Sequence, residues 1–491
     1  MKNIKTNSLL IIAILTIELL FAFTLFPYNH CSDIYNLFVE GYKDYAINWF
    51  VPSGRTVSAI VLNIFDFFKI NIDTYIFIMK LFALLFANIA IFTFTKLTFK
   101  KLKPDTSLFS KIVCFIAILL IFFNKATYEF FYYAESAVMW LGVLLTVLAI
   151  KTYLKNNSFK NYLISFLLLF GAINCYQSVI LIFIPIVLFF KILEEKSFKS
   201  FIITLFKTSL IILTNLLLGY ILIKFLSNYY NSYGYNKVQF SIDFEKIKEI
   251  LQIIIKQNII QVKPNFFLLI FNLSSILVAL IIPKKYYTKD KLLSVFTLIA
   301  LIFISLLQVL AITSLTGFYM CYRAEYVYLI LPGIVLLFLN LYTDILNTKL
   351  IKIIPFIIGI SILIYNISLA NYSTKVHRYT RQEDFKEGKI IAKLVNEYQS
   401  KNNIKLKKLI YCLDYGYEFT HPEVDNYDEG SFRIFASRWV LPNAINYFCN
   451  TNLTGELDQY SHGDYFDARD WDDFSEEQIV FVVDTMYLCI Y

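Results

Sequence analysis

Charged residues are scarce in this sequence. Asp, Glu, Lys and Arg make up 17% of its 491 residues against 58% for the apolar set, and the mean hydropathy is +0.59. Soluble globules carry about a quarter charged residues, so a string of soluble domains is excluded, and so is a disordered chain. Glycine and proline are sparse as well, at 14 and 10. No Gly-rich phosphate cradle, Walker motif, HExxH or GxSxG is present, which sets aside P-loop hydrolysis and zinc proteolysis. The seven cysteines form no CxxC pair and no Cys/His set with zinc spacing, so a disulfide scaffold is excluded. Cys114 lies in an apolar run and reads as packing, while Cys31, Cys175 and Cys321 lie near helix ends. Cys412, Cys449 and Cys489 in the tail allow at most one disulfide. The formal charge of +8 is not gathered into a basic groove, so nucleic acid is excluded as a partner.

What the chain does have is long apolar runs. A helix that crosses a bilayer needs about 20 mostly apolar residues, and its backbone polar groups must be satisfied within the segment. About eleven spans follow, at 8–26, 73–97, 108–123, 135–153, 161–177, 178–193, 201–226, 264–282, 291–312, 323–342 and 350–369. The 161–193 stretch reads either as a tight hairpin or as one bent helix. The first span has a long apolar run and no small-residue cleavage site, which predicts an uncleaved anchor. Lysines in the gaps at 96–103, 151–160 and 284–291 alternate with the N-terminus as cytoplasmic. An odd number of spans then puts the tail outside. The predicted fold is a polytopic α-helical membrane protein, with a membrane part at 1–369 and a small α/β extracytoplasmic domain at 370–491. Polar residues collect on the outer face, in loops 27–72 and 227–263 and in the tail. In the tail, an amphipathic helix is expected at 383–399 and strands near 408–413 and 479–489.

Candidate chemistry sits at the outer ends of the spans. Asp33 follows the first span, where a carboxylate shielded from water can serve as a base; a solvated loop Asp is the bland alternative. Glu40 and Asp44 read as exposed and structural. The turn Pro52-Ser53-Gly54-Arg55 delivers Arg55 to a short amphipathic segment, as a phosphate ligand or as an interfacial anchor. Glu129 and Glu135 flank the aromatics of 128–133. An aromatic belt accounts for the rings, but Glu135 at the edge of a span is costly without a partner. Asn174, Cys175, Tyr176 and Gln177 form an outer turn that either closes the chain or binds a sugar. Arg323 and Glu325 open another span, as a local ion pair or with Arg323 as a second phosphate ligand. Glu18 and Lys80 lie within spans and either pair with each other or, for Lys80, snorkel.

The order and spacing of these clusters resemble the bacterial membrane glucosyltransferases that decorate O-antigen and related surface polymers, the type II Gtr group. The matching pieces are Ser32-Asp33, Gly41, Trp49, Gly54-Arg55, Glu135-Ser136, Tyr176-Gln177 and the stretch 431–439 (SFRIFASRW). One departure matters: the resemblance implies paired acids after the first helix, and Ser32 leaves Asp33 as the one carried-over base. The resemblance also implies the GT-C architecture. Nucleotide sugars do not cross a bilayer, so an enzyme working outside takes its sugar from a lipid. The expected reaction moves a hexose, glucose or similar, from a polyprenyl-phosphate donor to a cell-surface polysaccharide or wall polymer, with inversion. Asp33 is the expected base, and Arg55 and Arg323 receive the donor phosphate. Glu129, Glu135, Tyr176 and Gln177 contact sugar or acceptor. The scheme needs no cofactor and no metal. Expected partners are the lipid donor, the glycan acceptor, the bilayer, a donor-synthesising enzyme and a flippase. A polysaccharide polymerase or ligase, or a lipid-linked sugar flippase or transporter, is the alternative.

Overall fold

The computed structural model describes residues 31–101, 107–194, 198–232, 245, 248, 299–301, 303–305, 307–308, 323–342, 349–413, 433–435, 439–458, 465–466 and 474–490. The spans expected at 8–26 and 264–282, most of the loop 227–263, Glu18 and the segment 414–432 lie outside the described residues.

From the start of the described chain, α1 (Ser32–Tyr45) runs into a π-helical turn (Ala46–Phe50), followed by α2 (Thr56–Phe67) and α3 (Ile72–Lys101). Next come α4 (Leu108–Phe122), α5 (Lys125–Tyr132), α6 (Ser136–Tyr153) and α7 (Phe159–Cys175), then a 3-10 turn (Gln177–Ile182), α8 (Phe183–Glu194) and α9 (Phe198–Tyr229). Beyond these lie α10 (Tyr326–Leu329), α11 (Leu331–Tyr342) and α12 (Lys349–Asn402). Four described helices are long and apolar enough to cross a membrane, or five if the bent pair α4 and α5 counts as one. The chain is a mostly helical membrane protein. α9 shows why lipid is its solvent: Phe206, Leu210, Leu213, Leu217, Ile221 and Phe225 stand exposed at helical spacing, a stripe that water would not tolerate.

The expected ambiguity at 161–193 resolves into two elements, because Tyr176 is extended (φ −160°, ψ 124°) and interrupts the helix. A second difference is larger. The span expected at 350–369 and the amphipathic helix expected at 383–399 are one helix, α12, of 54 residues. At 1.5 Å per residue it reaches about 80 Å, and it serves two cores. Ile362 and Ala370 pack into the bundle, whereas Ile391 and Val395 pack against a sheet.

That sheet has four strands in the order β2-β1-β4-β3, where β1 is Lys408–Leu413, β2 Thr454–Leu457, β3 Ile479–Val482 and β4 Thr485–Ile490. β1 is parallel to both β2 and β4, and β3 and β4 form an antiparallel hairpin. The expected strand at 479–489 is therefore two strands, turned at Val483 (φ 55°) and Asp484. α13 (Leu441–Cys449) connects β1 to β2 and covers the face formed by Leu409, Tyr411, Met486 and Leu488, as the period of two requires. Cys412 and Cys489 lie opposite each other in register across β1 and β4.

Close helix contact in the membrane part depends on small residues. A Cβ on Gly333 of α11 would lie 2.4 Å from the Ala117 carbonyl oxygen and 2.6 Å from Ile121 Cγ1 on α4. Gly333→Val is expected to cost about 2 kcal/mol through forced separation of the two helices. Its unfolding midpoint in SDS titration should fall accordingly, and an unchanged midpoint would refute this packing.

Candidate functional site

The polar residues gather where several helices begin or end. α4 closes at Phe122, α7 closes at Cys175, and α3, α6 and α10 start at the same end of the bundle. The three residues between α5 and α6, 133–135, and the end of α5 organise this end. α5 starts with a capping box in which the Asn124 side chain accepts from the Thr127 N–H while Thr127 caps in return, so its first turn is fixed without outside help.

Four cations converge on residues 129–135. Arg55 makes an ion pair with Glu135 through Nη1. Lys80 donates to the carbonyl oxygens of Phe131, Tyr132 (2.6 Å) and Tyr133 (2.8 Å). It is fully buried, so it neither snorkels nor needs a carboxylate. Arg323 binds Glu129 Oε2 through its backbone N–H (3.1 Å) and Nη1 (3.3 Å), and Nη1 also donates to the Tyr133 hydroxyl at 2.5 Å. The local Arg323–Glu325 pair considered from sequence is replaced by this long-range one. Arg381 on α12 donates to the Tyr132 hydroxyl at 2.7 Å and to Asp384 Oδ2 at 2.7 Å.

Arg55 is positioned by backbone that few residues could supply. Gly54 has φ +74°, and a Cβ there would meet Ile223 Cδ1 at 2.5 Å and Gln177 Nε2 at 2.6 Å. Gln177 Nε2 donates to the Ser53 carbonyl at 2.6 Å, which secures the turn. Thr56 donates to Asn174 Oδ1 at 2.6 Å, tying the start of α2 to the end of α7. The Tyr176 ring lies 5.1 Å from the Arg55 guanidinium carbon, within cation–π range. Gly54-Arg55, Glu135-Ser136 and Tyr176-Gln177, three separate sequence signals, thus meet in one place.

The two arginines differ in access. One-fifth of the Arg55 side chain is exposed against one-tenth of Arg323. Burial lowers the Arg55 pKa, but the negative charges of Glu135 and Asp33, together with Tyr176, raise it by more, so it stays cationic. Asp33 also acts on Cys31, whose thiol is pushed up to about 12, by burial first and then by that charge. Beside the Arg55–Glu135 pair, Glu135 Oε2, Ser136 Oγ, Arg55 Nε and Trp140 Nε1 are buried and make no hydrogen bond among the described residues. Such groups cost about 1–3 kcal/mol each when unmet, so their grouping around one ion pair makes this the candidate site. Among the described residues, no three of His, Cys, Asp and Glu converge as a metal site would require.

Sequence reasoning missed the cluster that anchors the tail. Asp384 accepts from Arg433 Nε at 3.5 Å and from the Ile434 N–H at 3.1 Å, and Glu387 pairs with Arg433 Nη2. Tyr128 and His377 share a hydrogen bond at 2.9 Å. Regular i, i+3 charges on an amphipathic helix read as a solvated face, yet Arg381, Asp384 and Glu387 are buried.

The site is thus a charged, partly open cluster at one end of an apolar helical bundle, in a membrane protein. The family model described as glucosyl transferase GtrII matches residues 33–338. The chain belongs to that family and is a glucosyltransferase. The matched range takes in Asp33, Arg55, Glu129, Glu135, Tyr176, Gln177 and Arg323, whereas α12 and the sheet lie beyond it. No curated protein matches the chain, and no solved structure does.

Lys80→Met should destabilise the fold by about 3 kcal/mol or more, because three buried carbonyls lose their donor. Lys80→Arg should not rescue it, since a planar fork cannot converge on three oxygens as an ammonium does. SDS unfolding of the two variants measures both effects, and full rescue by Arg would contradict the arrangement.

Proposed function

We propose that the chain transfers glucose from a polyprenyl-phosphate donor to a cell-surface polysaccharide or wall polymer at the outer membrane face. The N-terminus is cytoplasmic and the sheet-bearing tail extracytoplasmic, an eleven-span GT-C arrangement with 370–491 as an α/β domain. The observation that carries the reading is the Arg55 guanidinium, partly exposed, paired with Glu135 and within electrostatic reach of Asp33, with orphaned donors beside it.

In this scheme an acceptor hydroxyl attacks the anomeric carbon and gives its proton to Asp33. The new C–O bond forms as the bond to the phosphate oxygen breaks, and polyprenyl phosphate leaves with the electron pair. Arg55, joined by Ser136 Oγ, neutralises the departing phosphate; donors of this kind are worth about 3–4 kcal/mol of barrier. Direct displacement inverts the anomeric centre. Glu135 sets the Arg55 fork and offers Oε2 to a sugar hydroxyl, and Tyr176 stacks on the guanidinium. Gln177 acts through the turn before Arg55. Arg323 and Glu129 are buried in each other and act as the frame rather than as contacts to phosphate. Lipid supply calls for a donor-synthesising enzyme and a flippase as partners, and the scheme uses no cofactor.

Asp33→Asn is expected to leave expression and membrane insertion intact and to lower transfer by at least about 100-fold, the usual contribution of a general base. Radiolabelled glucose passed from polyprenyl phosphate to extracted polysaccharide measures it. Near-normal transfer in that variant would remove Asp33 from the mechanism.

A further inference from the structure

The chain between α1 and Arg55 is irregular in a way that packing does not require. Gly41 inside α1 has φ 78° and ψ 166°, a backbone state open to glycine, yet a Cβ there would meet nothing within 4 Å. Its glycine therefore serves the direction of the chain. Five residues later the backbone winds as a π-helix, with the Val51 N–H on the Ala46 carbonyl at 3.0 Å; such turns recur at functional sites.

The product of these two irregularities is a fixed aromatic pair. Trp49 Nε1 donates to Glu40 Oε1 at 2.8 Å, and Asn48 Nδ2 donates to Glu40 Oε2 at 3.4 Å. The Trp49 indole stacks on Tyr45, with ring centroids 6.0 Å apart and planes at 26°. Tyr45 is buried, and its hydroxyl is held well above the usual phenol range by burial and by the charges of Asp33 and Glu135. Asn48 is exposed, and Glu40 and Trp49 are half-buried. Tyr45 also meets Phe50 edge-on at 5.3 Å, and the Phe50 ring centroid lies 6.0 Å from the Arg55 guanidinium carbon, so the rings lead from open surface to the groups assigned to sugar transfer.

We propose that Trp49, with Glu40 and Asn48, is the platform that seats a neutral hexose unit of the acceptor glycan; this rests on the transferase reading above. A sugar ring offers C–H bonds along its face and hydroxyls around its edge. An indole plane takes the face, and the oxygens of Glu40, each with lone pairs to spare, take edge hydroxyls. With its N–H already held by Glu40, the indole loses little freedom when a ring settles on it, and preorganisation of this sort lowers the cost of binding. Asn48 keeps one further donor for the same edge. The site selects an uncharged ring: a carboxylated or phosphorylated sugar would meet Glu40 with like charge.

The test uses the full-length protein in nanodiscs with polyprenyl-phosphate glucose. Its acceptor is a pool of oligosaccharides released by mild acid from the surface polysaccharide of the source cells. Trp49→Ala should raise the KM for the oligosaccharides about tenfold or more while the donor KM stays within about twofold, a split that separates acceptor seating from general damage. Trp49→Phe, which keeps an aromatic plane, should stay within about threefold of the unaltered protein, and Glu40→Ala should raise the acceptor KM about fivefold. If the unaltered protein transfers glucose and Trp49→Ala leaves the acceptor KM unchanged, the platform is overturned and the transferase reading stands. Equal losses on donor and acceptor also overturn the platform. Absence of transfer by the unaltered protein overturns both.

Discussion

A carboxylate at the edge of an apolar helix is stable there when a cation meets it, and Glu135 meets Arg55 from 80 residues earlier in the chain. Breaking a buried pair of this kind costs about 3–5 kcal/mol, because the remaining charge is left uncompensated. The requirement reaches further than one pair. Lys80, Arg323 and Arg381 all bind within a few residues of Glu135, so the junction of α5 and α6 is held from four directions. A short helix capped by its own Asn124 and Thr127 would otherwise be loosely fixed. Its rigidity follows from long-range polar contacts in surroundings where unmet polar groups are expensive.

The same junction connects the bundle to the sheet-bearing tail. Tyr132 binds Arg381 and its neighbour Tyr133 binds Arg323, so adjacent residues face the tail and the bundle. α12 continues without a break from the bundle core to the sheet core, and Gly388 lets it approach Phe448 of α13 closely. Arg433, from the SFRIFASRW stretch, locks onto Asp384 and Glu387 of α12. Asn443 donates to Asn36 Oδ1 at 2.6 Å, and Tyr35 meets Tyr447 edge-on at 5.3 Å, which brings α13 onto α1 near Asp33. The tail is thus tied both to Tyr132 at the charged junction and to α1.

Much of this was legible in the sequence where the signal is local. Apolar runs report contact with lipid, so the ends of α3, α4, α6 and α9 fall close to the expected limits. The need of Glu135 for a partner was readable from its place at a helix edge, and Arg55 was readable as a cation delivered by a turn. That the two answer each other was not, because no local pattern encodes a pairing across 80 residues, or the 194 that separate Glu129 from Arg323. Arg381 and Asp384 escaped notice for a related reason: a buried charged stripe and a solvated one have the same period. The Glu40–Trp49 contact was hidden by Gly41 and the π-turn, which break the helical spacing by which neighbours are inferred.

A cryo-electron microscopy reconstruction of the full-length protein in nanodiscs containing polyprenyl phosphate tests the central claim most directly. The account predicts phosphate density about 3 Å from the Arg55 guanidinium, with Glu135 still bound to the other side of the fork and residues 129–135 unmoved. Phosphate density at the opposite end of the bundle, or between helices with Arg55 untouched, would contradict it.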